Sequence, residues 1–161
     1  MWPMNAQTPV CDLRVAELLA RIGSSTVSPG AGAAGAVALA LAAACASKAA
    51  SISLRHRPDD PELQAAFHTF QRIARTALAA ADRDSEAFEA FIHEKKPDAA
   101  DRLIAEEQVF GHLIATLTAA IDVVAPRIQP NMRGDVAAAR ALAVAAHRIQ
   151  QRNEGEALDS R

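Results

Sequence analysis

Nearly half of the hydrophobic residues in this sequence are alanine, and that choice decides what the chain can fold into. Hydrophobic residues make up 50% of the 161, yet only 4% are aromatic and tyrosine is absent. Alanine is the best helix former and too small to fill a core between two sheets. Small residues also let helix backbones approach closely. The expectation is an all-α fold, a bundle of about five mostly long, Ala-rich helices with no sheet. Their wide apolar faces suggest a homodimer. A chain of this length fits one domain, 1–161 with a core of about 12–158, without disulfides or a metal to hold it.

Proline and glycine punctuate the chain. A first helix is expected over about 12–22, with Leu13, Ala16, Leu19 and Ala20 inward. A turn rich in Ser, Thr, Pro and Gly leads to a second helix over 31–54. Asp60 is a good N-cap for a third, with Pro61 at its first position and Glu62 near the positive helix end. In that helix Leu63, Phe67, Phe70, Ala74, Ala77, Ala81, Asp84, Phe88 and Phe91 recur by fours and threes, one continuous seam. The helix should run to Lys96, where Pro97 stops it. A fourth, from about 98, carries Leu103, Phe110, Ile114, Leu117, Ile121 and Val124 until Pro126. A fifth covers about 135–153, with Ala139, Leu142, Ala146 and Ile149 inward, and Gly155 is positioned to end it.

Several classes are disfavoured. The net charge of −2 gives no nucleic-acid surface. Cys11 and Cys45 have no metal or redox spacing and read as buried free thiols in a reducing compartment. No basic region precedes an apolar run near Met1, so a cytoplasmic location is expected. The apolar stretch 31–46 is shorter than a membrane span, and Lys48 follows it. The five histidines are dispersed, without a His-Glu-x-x-His or Glu-x-x-His pattern, so no metal site is expected. There is no P-loop, dinucleotide fingerprint or Gly-x-Ser-x-Gly elbow.

Polar residues on apolar seams carry the remaining information. A carboxylate at Asp84 must be paired, hydrogen-bonded or driven toward neutrality. It either pairs with an arginine at the rim of the bundle or is a functional group. Asp135 and Asn153 fit the fifth seam at its two ends; Asp135 also reads as an N-cap after Gly134, and Asn153 as part of a fraying end. Lys48 can extend its ammonium to water.

The segment from Glu17 through Pro29-Gly30-Ala31-Gly32 resembles the opening of the cyclodeaminase/cyclohydrolase family, which includes methenyltetrahydrofolate cyclohydrolase and the cyclodeaminase half of formiminotransferase-cyclodeaminase. That family has a short helix, a Pro-Gly-Gly-Gly-Ser loop and a long Ala-rich helix. Asp84-Ser85-Glu86-Ala87-Phe88 is similar to its Asp-x-Glu-Ala-Phe block. Asn131-Met132-Arg133-Gly134-Asp135 is similar to its Asn-x-x-Ser-Asp block, and Asn153 falls near asparagines of its last helix. There are departures. Ala31 and Ala33 replace a glycine and a serine, and Gly134 replaces a serine. Arg55-His56-Arg57 stands for a lysine-rich stretch, Lys95-Lys96-Pro97 for a Leu-Pro-Lys turn, and Lys48 for an apolar residue.

The resemblance implies an enzyme of folate one-carbon metabolism with a tetrahydrofolate derivative as substrate and no cofactor. It would hydrolyse 5,10-methenyltetrahydrofolate, or close formiminotetrahydrofolate with release of ammonia. Both reactions pass through a carbon between two nitrogens, where a carboxylate can stabilise charge or take a proton. On this reading Asp84 is the favoured catalytic residue and Asp135 the second. Pro29, Gly30 and Gly32 shape the ligand loop, and Asn131 contacts substrate. Arg55, Arg57 and Lys95 are the candidates to meet the glutamate tail. Two alternatives are a folate-binding homologue without catalysis and a structural helical dimer or adaptor.

Overall fold

The start of the longest helix shows how the sequence writes its own boundaries. Asp60 accepts hydrogen bonds from the backbone N–H groups of Glu62 (3.1 Å) and Leu63 (3.2 Å), satisfying donors that the first turn cannot. From there α3 runs Pro61–Glu94. The computed structural model describes residues 8–94 and 97–159. Its other helices are α1 (Val15–Ile22), α2 (Ala31–Leu54), α4 (Pro97–Val124) and α5 (Arg133–Asp159), with short 3-10 turns at Val10–Asp12, Ala125–Arg127 and Pro130–Met132. No strand occurs among the described residues, and the fold is an all-α bundle.

Helices α2 to α5 run alternately up and down, and α5 returns to pack on α2, closing a four-helix ring. Contacts fix the register. Arg83 meets Glu106 near one end of the α3–α4 pair, and Asp60 meets Arg127 at the other. Alanine sets the closeness of α2 to its neighbours: Ala33, Ala42, Ala43, Ala49 and Ala50 are fully buried. At Gly35 even a methyl would crowd Ile149, whose Cγ2 lies 3.0 Å from where a Cβ would sit. The expected seams are present. Leu63, Phe70, Ala77 and Ala81 of α3 and Leu117, Ile121 and Val124 of α4 are buried.

Some boundaries and faces differ from expectation. Residues 10–12 form a 3-10 turn and α1 begins only at Val15. Its inward residue is Leu18, while Leu19 is 64% exposed and Ala16 and Ala20 face solvent. An eight-residue helix docks by one short stripe, here Leu18 with partly buried Ile22. Helix α5 passes through Gly155 to Asp159 because Ala157 packs with Leu103 and Ile104 in a small second apolar cluster. Cys11 is exposed and Cys45 only half-buried. The Cys11 thiol is raised above its usual range, chiefly by its hydrogen bond to Asp82. Two segments, Ala31–Leu54 and Asp98–Arg127, are long and apolar enough to cross a membrane by length and composition. Both are packed into the bundle, and core helices meet the same measure.

Candidate active site

At one end of the bundle the apolar core gives way to a polar layer to which all four long helices contribute: Gly32 from α2, Asp84 from α3, Glu106 and Glu107 from α4, and Gln150 and Asn153 from α5. Beyond it lies the small cluster of Leu103, Ile104 and Ala157. Gly32, Asp84, Glu107 and Asn153 of this layer line a cleft of about 270 Å³. One wall is apolar, with Phe88, Phe91, Ile92 and Leu103; the rings of Phe88 and Phe91 lie 6.4 Å apart. Ser28, Gly30 and Ala31 border the entrance to α2. No lysine or arginine lines the cleft among the described residues, although Asp84, Glu107 and Glu156 do.

Asp84 is held by the start of α2. Its carboxylate accepts a hydrogen bond from the Ala33 backbone N–H, at the positive end of that helix. The approach is so close that a Cβ on Gly32 would lie 2.2 Å from Oδ2. Any side chain at 32 would therefore push the Asp84 carboxylate aside; the constraint is one of contact rather than backbone conformation, since no glycine has a positive φ among the described residues. Burial raises the Asp84 pKa to about 6, the Glu106 charge adds to the rise, and the Ala33 bond opposes it. No ion pair reaches Asp84 among the described residues; the nearby arginine, Arg83, instead meets Glu106 at 3.1 Å.

Glu107 is only 4% exposed. Its Oε1 accepts a hydrogen bond from Asn153 Nδ2 at 3.1 Å. Burial again dominates and carries the Glu107 pKa to about 7; the Asn153 bond opposes this, while the charges of Asp84, Glu154 and Glu106 add to it. The cleft thus holds two carboxyl groups of different proton affinity. Burial raises both toward neutral pH, so one can hold a proton while the other is ionised, a division suited to one base and one acid.

Of the residues singled out in the sequence, Asp84, Gly30, Gly32 and Asn153 meet in this cleft. Pro29 is buried beside it and lines a neighbouring open hollow with Asp82 and Ser85. The others lie elsewhere in the chain. Asp135 sits in the first turn of α5, about 27 Å along the axis from Asn153, and pairs with Lys48 at 3.3 Å. Since α5 starts at Arg133, Asp135 is not its N-cap. Asn131 is exposed in the preceding 3-10 turn. Arg55 and Arg57 are exposed beyond the far end of α2, roughly 35 Å from Gly32. Lys95 lies outside the described residues. Glu107 was missed by the sequence reading, although Leu103, Glu107, Phe110 and Ile114 keep the four-and-three spacing; a seam traced only through apolar residues passes over it. Among the described residues, no group of three or more His, Cys, Asp or Glu is arranged to hold a metal ion.

A search of curated protein sequences finds no match. By structure, formiminotetrahydrofolate cyclodeaminase from Thermotoga maritima is similar over 92% of this chain and 79% of its own, with a TM-score of 0.87 and 20% sequence identity. The sequence model of the family described as formiminotransferase-cyclodeaminase matches residues 14–109, more than half of the chain and the stretch that carries Gly30, Gly32, Asp84 and Glu107. The chain therefore belongs to the formiminotransferase-cyclodeaminase family.

Proposed function

We propose that this protein is an enzyme acting on the amidine-type carbon of a tetrahydrofolate one-carbon derivative, as a methenyltetrahydrofolate cyclohydrolase or a formiminotetrahydrofolate cyclodeaminase. The observation that carries this reading is the pair Asp84 and Glu107, two carboxyl groups with pKa values near 6 and 7 in one cleft, neither of them in an ion pair among the described residues. Such a site favours a planar cation, and both substrates present one: the methenyl bridge or the protonated formimino group. The wall of Phe88, Phe91, Ile92 and Leu103 suits a flat heterocycle.

In ring closure, N10 attacks the amidinium carbon and forms the C–N10 bond. Asp84 takes the N10 proton. Glu107 gives its proton to the departing nitrogen as the C–N bond breaks, and ammonia leaves with the methenyl cation as product. Hydrolysis uses the same two groups in the same states.

Two of the departures, Ala33 and Gly134, leave the chemistry of these groups in place. The Ala33 contact to Asp84 comes from the backbone, so the missing serine hydroxyl does not remove it. Gly134 is at the far end of α5. This favours an enzyme over a folate binder without turnover. The reading includes a homodimer, which light scattering would test, and a cytoplasmic location.

The deciding experiment mixes the protein with 5,10-methenyltetrahydrofolate and follows loss of its absorbance, with a parallel assay of ammonia release from formiminotetrahydrofolate. Turnover of either is expected. Binding without turnover would leave a folate-binding homologue, and neither binding nor turnover would leave a structural protein.

A further inference from the structure

Behind the cleft, one turn deeper into the bundle, is a recess of about 20 Å³. It shares Gly32, Asp84, Glu107 and Asn153 with the cleft and adds Gln150 and Glu106, the latter paired with Arg83, with Ala36 and Ala80 among its apolar lining. This volume suits a single water, which needs at least ~10–15 Å³ of such space and two to four polar partners. The side chains of Asp84, Glu107, Gln150 and Asn153 supply them. Gln150 is 5% exposed, and its Nε2 is held by Glu154 Oε2 at 3.0 Å, so the amide is fixed. Ala36 and Ala80 are as important for what they lack, because a larger side chain at either would take the space.

We propose that this recess binds one water between Asp84 and Glu107 and delivers it to the ligand carbon in the cleft, so that the site is built for hydrolysis of the methenyl bridge. The inference rests on the reading of the cleft given above and adds the origin and placement of the nucleophile. Asp84 removes one proton from the water as its oxygen bonds to the methenyl carbon. The product of that step is a carbinol flanked by N5 and N10. Glu107 then protonates N5 as the C–N5 bond breaks, and takes the carbinol proton as the formyl C=O forms on N10. Asp84 releases its proton to solvent. One water and one methenyl cation have become 10-formyltetrahydrofolate and one proton. Gln150 acts as a positioning residue.

The test compares the parent with Ala80→Val, which fills the recess, and Gln150→Leu, which removes a polar partner from it. Each is measured for methenyl turnover and for equilibrium binding of 5,10-methenyltetrahydrofolate. Turnover is expected to fall by ~10²-fold in each, the scale of a lost proton-transfer or positioning contribution, with affinity changed less than about threefold. Crystals of the parent should show one water within hydrogen-bond distance of Asp84, absent from Ala80→Val. Parent-like turnover in a folded variant would overturn the recess and leave the cleft reading intact. Equal losses of binding and turnover would also overturn it, since the recess would then be only packing. A parent that releases ammonia from formiminotetrahydrofolate but does not convert methenyl folate would overturn the recess and leave the cleft reading, whereas one that neither binds nor converts either folate would remove both. Should Ala80→Val fail to fold, Gln150→Leu alone decides.

Discussion

The two ends of the bundle handle buried polar groups in opposite ways. At the end holding the α2–α3 turn, each has its partner in the fold. Asp60 caps α3 and takes Arg127 Nη1 at 3.1 Å, while Arg127 Nη2 reaches Glu62. Ser53, fully buried, donates to the Ala49 carbonyl (2.8 Å) and accepts from the Gln129 N–H (2.9 Å), tying the α4–α5 connection to α2. At the cleft end, Asp84 has one backbone donor and Glu107 one amide, and no cation pairs with either among the described residues. Complete pairing marks groups that hold the fold. Incomplete pairing, with raised proton affinity in a cleft, marks groups kept for a ligand.

The largest effects should come from removing the cleft's charge without changing its shape. Asp84→Asn is expected to lower methenyl turnover by ~10²-fold or more, through loss of base and electrostatic help. Glu107→Gln can still accept from Asn153 but cannot release a proton, and a comparable loss is expected. In the parent, turnover should rise as Asp84 ionises near pH 6 and fall as Glu107 ionises near pH 7. Glu107→Gln should remove the alkaline limb from what activity remains. Gly32→Val should displace Asp84 and cost as much as Asp84→Asn, with helix content intact. A marked fall in melting temperature for Asp84→Asn, with turnover per folded molecule unchanged, would make the cleft end structural too and dissolve the contrast.

The opposite end should respond in the opposite currency. Ser53→Ala leaves the Gln129 N–H and its surroundings without the hydroxyl. Leaving a buried donor unsatisfied costs about 1–3 kcal/mol. Denaturant unfolding should show that loss, with methenyl turnover per folded molecule as in the parent. A turnover loss larger than the stability loss would mean that the two ends are coupled along α2.

The pH dependence of stability should also divide by end. Asp60 is held below the usual carboxylate range, first by the Leu63 N–H and also by Arg127. Its contribution is present above that range and is lost as acid protonates it. Asp84 and Glu107 are raised, so between about pH 4 and pH 7 the native state binds more protons than the unfolded chain. Stability then falls as pH rises through that window and stays lower above it. Asp84→Asn should recover roughly 1–2 kcal/mol at pH 8, less than a fully buried charge would give because the cleft admits solvent. Unfolding of parent and variant at pH 5 and pH 8 measures this, and equal differences at the two pH values would argue against a strained carboxylate.

Much of the fold was legible because its signals are local. The limits of α2, the Asp60 cap and the seams of α3 and α4 follow from spacing and stop residues. The site was legible only in part. Asp84 stood out as a charge among Ala and Phe, but Glu107 keeps the same spacing on α4 and was passed over, and Asn153 was set aside as belonging to a fraying end. Asp135, Asn131, Arg55 and Arg57 were grouped with the loop glycines by motif order. Order along the chain does not say which end of an antiparallel bundle a residue occupies, and these four fall at the far one. Gly155 was read as a stop because glycine often ends helices. Packing of Ala157 on Leu103 and Ile104 carries the helix through it.

The smallest expected effect uses the two glycines of α5, one toward each end. Gly134 and Gly155 are both inside the helix, and a Cβ on either meets nothing within 4 Å. Neither has a positive φ. Alanine should therefore stabilise at both positions by restricting the unfolded chain and favouring helix. Gly155→Ala should gain about 0.5 kcal/mol, near the lower end of the usual range for an interior site. Gly134→Ala should gain less, because Gly134 is in the first turn, where fewer helical hydrogen bonds depend on it. Gly155 precedes Glu156 and Ala157, which line the cleft, whereas Gly134 lies far from it. Parent-like turnover is expected from both. If Gly155→Ala gains stability but slows methenyl turnover while Gly134→Ala does not, then the cleft end works by local motion of the last turns of α5, and its incomplete pairing serves mobility as well as chemistry.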